Sequence, residues 1–243
     1  MIKRIFDIVV SFFGLLLASP ILLPVMFLVW LQDKHSPFYI APRVGKNEKL
    51  YHMVKLRSMV LNADSSGVDS TSANDSRITP VGQFIRSYKL DELTQLWNVL
   101  LGDMSMVGPR PNVKRETDLY THEEKKLLTV RPGITDLSSI VFSDEGEILA
   151  DKEDPDLAYN QLIRPWKSRL SLVYVEHSSI LLDIQLIFLT VIAIVNKPRA
   201  LEFINAILLR FDSPNDIIEV AMRRKELEPS IPPGADKIVS SRT

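Results

Sequence analysis

The chain has 243 residues, a formal net charge of −1 and no cysteine, and hydrophobic residues make up 46% of it. The balanced charge lacks the basic excess typical of nucleic-acid-binding proteins, so we expect no nucleic-acid partner. The absence of cysteine excludes disulfides and thiolate chemistry and fits a cytoplasmic location. The length predicts a membrane segment followed by a single globular domain of about 150–170 residues.

The N-terminal segment is apolar but contains helix-breaking residues. No charged residue occurs from Ile8 to Gln32, a run long enough to cross a bilayer core, which needs about 20 apolar residues. Ser19, Pro20 and Pro24 interrupt the run, and proline favours a sharp kink because it lacks a backbone N–H. Two structures fit this pattern: a kinked transmembrane helix, or a re-entrant hairpin that breaks at Ser19 and Pro20 and leaves the membrane on the side it entered. The run is too long for the apolar part of a cleaved signal peptide.

Composition alone favours the kinked transmembrane helix, whereas the charges on both sides of this segment favour the hairpin. Lys3 and Arg4 precede it, and basic residues outnumber acidic ones between Lys34 and Arg57. Positive charge concentrates on the cytoplasmic side of membranes, and a single crossing would put one basic flank on the opposite side. A hairpin would keep both flanks in the cytoplasm.

The rest of the chain reads as an α-rich α+β domain with little β-structure. A strand-like stretch surrounds Met53, and a helix with an apolar face that includes Trp97 is predicted over Leu90–Leu101, with Gly102 as its stop. The glycine- and proline-rich stretch from 102 to 111 is predicted to be an ordered loop. The remaining predicted segments are a mobile polar loop over 62–79, helices over 112–130 and 157–175, and an irregular acidic stretch over 143–156.

Two later apolar segments leave two interpretations open. The run from Ile184 to Val195 would span about 18 Å as a helix, less than the bilayer core of about 30 Å. It therefore predicts an amphipathic helix at the membrane interface or an ordinary core helix, and the same holds for Leu201–Leu209. Charge and proline increase from Asp212 onward, which predicts a flexible tail. We thus divide the chain into a membrane segment (1–35), a globular domain (36–211) and a tail (212–243).

An acidic pair and several cations are the candidate functional residues. Asp91 and Glu92 begin a predicted helix, where the helix dipole stabilises acidic residues even without a catalytic role. Arg110 lies between two prolines that restrict its backbone, and guanidinium groups suit bidentate capture of phosphate. Two carboxylates beside such arginines would also accommodate Mg²⁺. The other candidate phosphate-binding residues are Arg86, Arg131, Lys55 and Arg57, and for each of them a structural ion pair is the alternative.

The stretch from Lys89 to Pro111, KLDELTQLWNVLLGDMSMVGPRP, resembles the core motif of the bacterial sugar transferases. These are monotopic phosphoglycosyl transferases that act on polyprenyl phosphate. The resemblance covers roughly residues 1–195 and corresponds to the family's minimal catalytic form, without the extra N-terminal helices of larger members. Supporting similarities are RIFD from Arg4, the Ser19-Pro20 pair, KLRSM from Lys55, VRPGIT from Val130 and LLD from Leu181.

The resemblance implies a function and a location. Asp91 would attack the sugar-bearing β-phosphate of a UDP-sugar bound with Mg²⁺, expel UMP and pass the phosphosugar to polyprenyl (undecaprenyl) phosphate. Glu92 would ligate the metal together with Asp91, or handle the proton of the lipid phosphate, and the sequence leaves both roles open. The resemblance further implies a bacterial inner-membrane enzyme with a re-entrant hairpin, a domain facing the cytoplasm, membrane lipid as a partner and a homodimer as one possible assembly.

The chain departs from the family pattern after Thr135. Many members continue with GWAQVNG, whereas this chain reads DLSSIVFSDEG from Asp136 to Gly146, followed by an acidic segment up to Asp156. This departure predicts a difference in specificity and not a loss of activity.

Two other functions are alternatives to the enzyme. A membrane-anchored scaffold or regulator of polysaccharide assembly would bind a lipid-linked sugar without chemistry, and would need neither the acidic pair nor the arginines. A single-pass protein would place its domain in the periplasm, contrary to the basic residues between Lys34 and Arg57. The transferred sugar, the polyprenol and the glycan pathway are left open.

Overall fold

The computed structural model describes residues 1–63 and 75–241, so residues 64–74 of the loop predicted over 62–79 lie outside the described range. Within that range helices dominate, and the strands form two two-stranded sheets, which confirms an α-rich fold with little β-structure. The strands are β1 (Phe38–Val44), β2 (Leu50–Leu56), β3 (Ser105–Val107) and β4 (Gly133–Thr135). The helices are α1 (Ile2–Asp33), α2 (Pro80–Ser87), α3 (Leu90–Leu93), α4 (Leu96–Leu101), α5 (Lys114–Thr117), α6 (Leu137–Val141), α7 (Glu145–Ile148), α8 (Pro155–Ala158), α9 (Arg164–Glu176), α10 (Ile180–Val195), α11 (Lys197–Arg210) and α12 (Asn215–Ala221).

One face of α1 packs on the rest of the protein along the length of the helix. Its buried residues recur at spacings of three, four or seven, which places them on one side of the helix. The helix is long and apolar enough to cross a membrane, by length and composition. The buried residues are Asp7, Ser11, Ala18, Leu22, Val25 and Val29, and large apolar side chains exposed elsewhere on the helix include Phe12, Phe13, Leu17, Leu23 and Phe27.

The structure shows no break at Ser19 and Pro20, because both residues lie inside the continuous helix α1. Pro20 has no N–H to donate to the carbonyl of Leu16, four residues earlier. The Ser19 hydroxyl donates to that carbonyl instead, at 2.8 Å. The missing backbone hydrogen bond is thereby replaced, so a re-entrant path requires a bend within the helix and not a gap in it.

Both ends of α1 are bound to the same domain. Near the N-terminus, the Lys3 ammonium pairs with Asp183 of α10, and Arg4 donates to two carbonyl oxygens at the end of α4. At the other end, Arg57 donates two hydrogen bonds to the Asp33 carboxylate, one of them 2.7 Å long. The two ends of the apolar helix therefore meet one and the same globular body.

The helix predicted over Leu90–Leu101 consists of two short helices, α3 and α4. The backbone keeps right-handed helical dihedral angles through the junction at Thr94 and Gln95, and the Thr94 hydroxyl donates to the carbonyl of Val54 in β2 at 3.2 Å, which ties the junction to the sheet. Because the buried side of α4 carries Leu96 and Val99, Trp97 is 49% exposed, contrary to the predicted apolar face. β1 and β2 form an antiparallel hairpin, which confirms the predicted strand around Met53.

The predicted ordered loop over 102–111 contains strand β3, which pairs in parallel with β4. The two backbones approach closely at Gly133, where an added Cβ would lie 2.0 Å from the backbone nitrogen of Gly108. Only glycine allows this approach, which brings the 108–111 loop against the start of β4. The helix predicted over 112–130 is reduced to α5 and a 3₁₀ segment over Glu124–Thr129.

Helices α6 and α9–α12 form the main hydrophobic core. Helix α10 contributes to the core through Leu182 and Leu186, which are buried, whereas Phe188 and Val191 are exposed, so its location at the membrane interface stays a prediction. Helix α11 also has two faces: its buried residues belong to the same cluster, whereas Phe203 and Leu209 are exposed.

The segment after Asp212 makes specific contacts with the domain, and its flexibility stays a prediction. It forms α12, and the chain beyond that helix is held by hydrogen bonds to its backbone. Gln161 donates to the carbonyl of Val239 at 2.8 Å, and Arg169 donates to the carbonyl of Ile231 at 2.7 Å. These hydrogen-bond partners lie far away in sequence, so the local polar composition does not predict the contacts.

Candidate active site

The acidic pair lies in α3, at a point where the backbone is constrained. Lys89 precedes the helix in the left-handed conformation with φ 55°, which turns the chain sharply into α3. Leu90 is buried in an apolar cluster that includes Val29 of α1 and Leu56 of β2. This packing fixes Asp91 and Glu92 beside the apolar N-terminal helix and the β-hairpin.

Asp91 is buried and faces a lysine. Its Oδ2 atom lies 3.6 Å from the Lys55 ammonium, which β2 supplies. Burial lowers the pKa of Lys55, because it disfavours the charged ammonium, while the negative charge of Asp91 opposes this shift. The structure therefore pairs the predicted nucleophile with one of the predicted phosphate-binding cations.

Glu92 pairs with Arg110 of the loop after β3. An Arg110 guanidinium N–H donates to Glu92 Oε1 at 3.1 Å. Burial by itself would raise the pKa of Glu92, but the charges of Arg110, Lys55 and Lys89 outweigh burial and lower that pKa. Burial likewise opposes the charge of Arg110, yet Glu92 and Glu145 outweigh it and raise the arginine pKa. Both members of this pair are thus ionised at neutral pH.

The other predicted phosphate-binding residues occupy different places. Arg86 donates to the Ser58 hydroxyl at 3.3 Å and contributes to the field at Lys55, so it lies near the acidic pair. Arg57 is engaged by Asp33 at the end of α1. Arg131 donates to the carbonyl of Gly102 at 2.7 Å, at the C-terminal end of α4. Of the predicted cations, the structure brings Lys55, Arg110 and Arg86 toward the acidic pair Asp91 and Glu92, hereafter the dyad. Arg57 and Arg131 make structural contacts instead.

Several residues around the dyad were not predicted. Lys89 donates to the carbonyl of Ser143 at 3.4 Å, and Glu145 at the start of α7 pairs with Lys167 of α9. Lys167 lies 5.5 Å from the ring centroid of Tyr159, which belongs to a π-helical turn over Tyr159–Ile163. Lys167, Tyr159 and Arg110 line a common cleft. Lys89 opens the motif from Lys89 to Pro111 and Glu145 lies in the segment that departs from the family pattern, whereas no sequence signal singled out Tyr159 or Lys167.

The donor set around the dyad fits a hard cation held jointly with a substrate. Among the described residues, no group of three or more His, Cys, Asp or Glu side chains could hold a metal on its own. Asp91 and Glu92 supply two adjacent carboxylates, and Mg²⁺ is commonly held by one or two carboxylates together with substrate phosphates.

Comparison with known proteins identifies the family. A family model described as bacterial sugar transferase matches residues 1–197. The chain belongs to the bacterial sugar transferase family. The match covers α1, the dyad, Arg110 and α10, and therefore confirms the resemblance carried by the motif from Lys89 to Pro111. Residues 198–243 lie beyond the match, and they include most of α11 and all of α12.

Individual members of the family show the same relationship. The undecaprenyl-phosphate galactose phosphotransferase of Salmonella typhimurium is 41% identical over 151 residues, which are 56% of this chain and 32% of that protein. The UDP-glucose:undecaprenyl-phosphate glucose-1-phosphate transferase of Klebsiella pneumoniae is 37% identical over 193 residues, 78% of this chain and 39% of that protein. The exopolysaccharide production protein ExoY of Sinorhizobium fredii is 32% identical over 207 residues, 79% of this chain and 84% of that protein. The chain thus spans less than half the length of the first two relatives and most of the third.

Proposed function

We propose that the chain transfers a sugar-1-phosphate from a UDP-sugar to undecaprenyl phosphate and releases UMP. The observation that carries this proposal is the buried Asp91 carboxylate beside Lys55, next to the Glu92–Arg110 pair, in a chain of the sugar transferase family. The relatives from Salmonella and Klebsiella are named for transfer of sugar phosphates to undecaprenyl phosphate, which supports the same reaction class.

Asp91 is the proposed nucleophile. One of its carboxylate oxygens attacks the β-phosphorus of the donor, and the bond from that phosphorus to the bridging oxygen of the diphosphate breaks, so UMP leaves with the electron pair. This gives an acyl phosphate between Asp91 and the sugar phosphate, of the kind that carboxylate nucleophiles form. An oxygen of the lipid phosphate then attacks the same phosphorus, and Asp91 leaves as a free carboxylate.

Electrostatics is the main obstacle to the first step. Two unit charges 4 Å apart repel by about 4 kcal/mol at an effective dielectric of 20, so a carboxylate approaches a diphosphate only if cations neutralise it. Lys55 and Arg110 are positioned for this task, and Arg86 lies nearby. Fixed charges aimed at the reacting phosphate lower the barrier without reorganisation during the reaction.

Mg²⁺ is the proposed cofactor, with Asp91 and Glu92 as the residues that would hold it. When bound, it would neutralise charge on the donor's diphosphate and orient the leaving group. Glu92 is kept ionised by Arg110, so it can act as a ligand at neutral pH. Handling of the lipid phosphate proton is the alternative role for Glu92.

We infer a monotopic arrangement in the bacterial inner membrane, with α1 re-entrant and the domain on the cytoplasmic face. It is supported by the binding of both ends of α1 to one domain and by basic residues on both flanks. The exposed apolar side chains of α1 and of α10 supply a surface for lipid contact. Such an arrangement holds the dyad where a lipid phosphate and a soluble nucleotide can both reach it.

Nucleotide release tests the reaction. The full chain in nanodiscs is incubated with Mg²⁺, undecaprenyl phosphate and a panel of UDP-sugars, and the released nucleotide is identified. UMP from at least one donor, dependent on the lipid, is the expected result and also identifies the sugar. Release of UDP would mean ordinary glycosyl transfer. Metal-independent lipid binding without nucleotide release from any donor would favour a non-catalytic scaffold or regulator of polysaccharide assembly.

A further inference from the structure

Four cations from four different parts of the chain converge on residues 142–145, within the segment that departs from the family pattern. Asp144 receives two of them and Glu145 a third, while the fourth donates to the Ser143 carbonyl. Asp144 and Glu145 are contacted from several directions, so they are more than solvated surface charges. The four cations are Lys89 before α3, Lys167 in α9, Lys197 at the start of α11 and Arg223 after α12.

Asp144 connects this turn to the C-terminal helices. Its carboxylate lies 2.7 Å from the Lys197 ammonium and 3.3 Å from an Arg223 guanidinium nitrogen. Arg223 also lies over the ring of Phe142, 5.2 Å from its centroid. Nε and Nη1 of Arg223 are buried without a hydrogen-bond partner among the described residues, so Asp144 is the contact that offsets desolvation of this guanidinium.

Glu145 connects the same turn to the cleft beside Arg110. It pairs with Lys167, which lines the cleft together with Arg110. Burial by itself would raise the pKa of Glu145, but the charges of Lys167 and Arg110 outweigh it and lower that pKa. Two carboxylates therefore act on Arg110, Glu92 by direct contact and Glu145 through its charge.

Ser143 connects the turn to the dyad. Its carbonyl accepts a hydrogen bond from Lys89 at 3.4 Å, and Lys89 is the left-handed residue that turns the chain into Asp91 and Glu92. Residues 143, 144 and 145 thus make three successive links, to the dyad, to the C-terminal helices and to the cleft.

We propose that this turn is a positioning link, in which Arg223 and Lys197 hold Asp144 and thereby fix Lys89 and Glu145 around the dyad. Asp144, Glu145 and Arg223 are positioning residues, because they act through Lys89, Lys167 and Arg110. Arg223 lies beyond residue 197, where the family match ends, so the C-terminal segment is part of the active-site scaffold in this chain. The role in turnover rests on the proposed function, whereas the structural coupling does not.

The full chain in nanodiscs provides the first test. Arg223→Gln is compared with Arg224→Gln, a matched control at the exposed neighbouring position. We expect Arg223→Gln to lower kcat about ten-fold, since small displacements of positioned groups cost one to two orders of magnitude, and to change the KM for the UDP-sugar by less than about two-fold. Arg224→Gln leaves both unchanged, and Arg223→Lys, which keeps the charge, restores at least about half of kcat.

A double mutant of Asp144 and Arg223 distinguishes a positioning role from a general loss of stability. In the Asp144→Asn background, adding Arg223→Gln produces no further loss of kcat, because the link is already broken. The proposal would be overturned if the loss of kcat in the double mutant equalled the product of the two single losses. Equal kcat for Arg223→Gln and Arg224→Gln would also overturn it. If Arg223→Gln does not fold, Glu145→Gln takes its place in the comparison with Arg224→Gln, with the same expected loss of kcat.

Hydrogen exchange tests the link even without turnover. Amide exchange in the peptide that contains Lys89–Glu92 should be at least about three-fold faster in Arg223→Gln than in Arg224→Gln, because the contact from Ser143 to Lys89 loosens. Unchanged exchange in this peptide would overturn the link. A wild-type chain that releases no UMP from any donor would overturn the proposed reaction instead, and the exchange result would still decide the link.

Discussion

The Lys55 ammonium lies 3.6 Å from Asp91 Oδ2, so the proposed nucleophile and its counter-charge come from a strand and a helix that are separated by a long stretch of chain. Lys55 belongs to the β1–β2 hairpin, which also receives the Thr94 hydroxyl from the junction between α3 and α4. The packing of the hairpin on α3 therefore controls the charge next to Asp91.

Replacing Asp91 by asparagine tests the nucleophile. We expect Asp91→Asn to lower UMP release by at least about 10³-fold, since the amide cannot form the acyl phosphate, in line with losses seen when a catalytic nucleophile is removed. The variant should fold and bind membranes like the wild type, because asparagine has nearly the same volume. Asp118→Asn, which changes an exposed carboxylate paired with Lys114, is the control and should retain activity. An active Asp91→Asn enzyme would contradict the mechanism.

The Glu92–Arg110 pair predicts a pH dependence of stability. Because the pKa of Glu92 is lowered in the folded state, its ionised form contributes stability above the carboxyl's unfolded pKa, and this contribution is lost as the pH falls through the lower folded value. Glu92→Gln should therefore be less stable than the wild type at pH 7, by about 1–2 kcal/mol for a charge-assisted hydrogen bond. The difference should shrink below about pH 4.5. Urea unfolding in detergent at pH 7 and pH 4 measures it, and a difference that grows at low pH would contradict this assignment.

Arg110 and Arg131 should respond differently to the same substitution. Arg110→Lys keeps the charge but removes the planar pair of guanidinium N–H groups. We therefore expect kcat/KM for the UDP-sugar to fall about 10–100-fold. Arg131 contacts the carbonyl of Gly102, so Arg131→Lys should change kcat/KM by less than about three-fold and mainly affect stability. Steady-state kinetics on both variants distinguishes the two residues. Equal losses would restore Arg131 as a phosphate-binding residue.

The path of α1 relative to the membrane can be tested by labelling, because the chain contains no cysteine of its own. Single Ile2→Cys and Ser36→Cys variants place a thiol at an exposed position near each end of the helix. If α1 is re-entrant, a membrane-impermeant maleimide should label neither thiol in intact cells and both after the inner membrane is permeabilised. External labelling of Ser36→Cys alone would mean that α1 crosses the membrane.

The Ser19 hydroxyl should stabilise α1 at Pro20. Ser19→Ala removes the donor that replaces the missing N–H of Pro20 at the Leu16 carbonyl. We expect a loss of about 1 kcal/mol in the free energy of unfolding, the usual contribution of one hydrogen bond. Ser87→Ala is a matched control, since its hydroxyl donates to the Gln83 carbonyl in a helix without proline at that position. A smaller loss at Ser19 than at Ser87 would contradict this role.

Residue type and local order were enough to predict several features of this protein. The apolar run from Ile8 to Gln32, the helical periodicities and the motif from Lys89 to Pro111 predicted a helix-rich chain with an apolar N-terminal helix and placed it in its family. The motif also singled out Asp91, Glu92 and Arg110, which the structure brings together. These signals are local, so the amino-acid order carries them directly.

Tertiary structure decided which cations reach the dyad and which do not. The sequence grouped Arg57 and Arg131 with Lys55, yet a carboxylate in α1 engages one and a carbonyl at the end of α4 engages the other. Tertiary structure also brought Glu145, from a segment that local patterns described only as acidic and irregular, against Lys167 of the helix predicted over 157–175. Contacts between residues far apart in the chain depend on how helices and loops pack, and no short-range period records that packing.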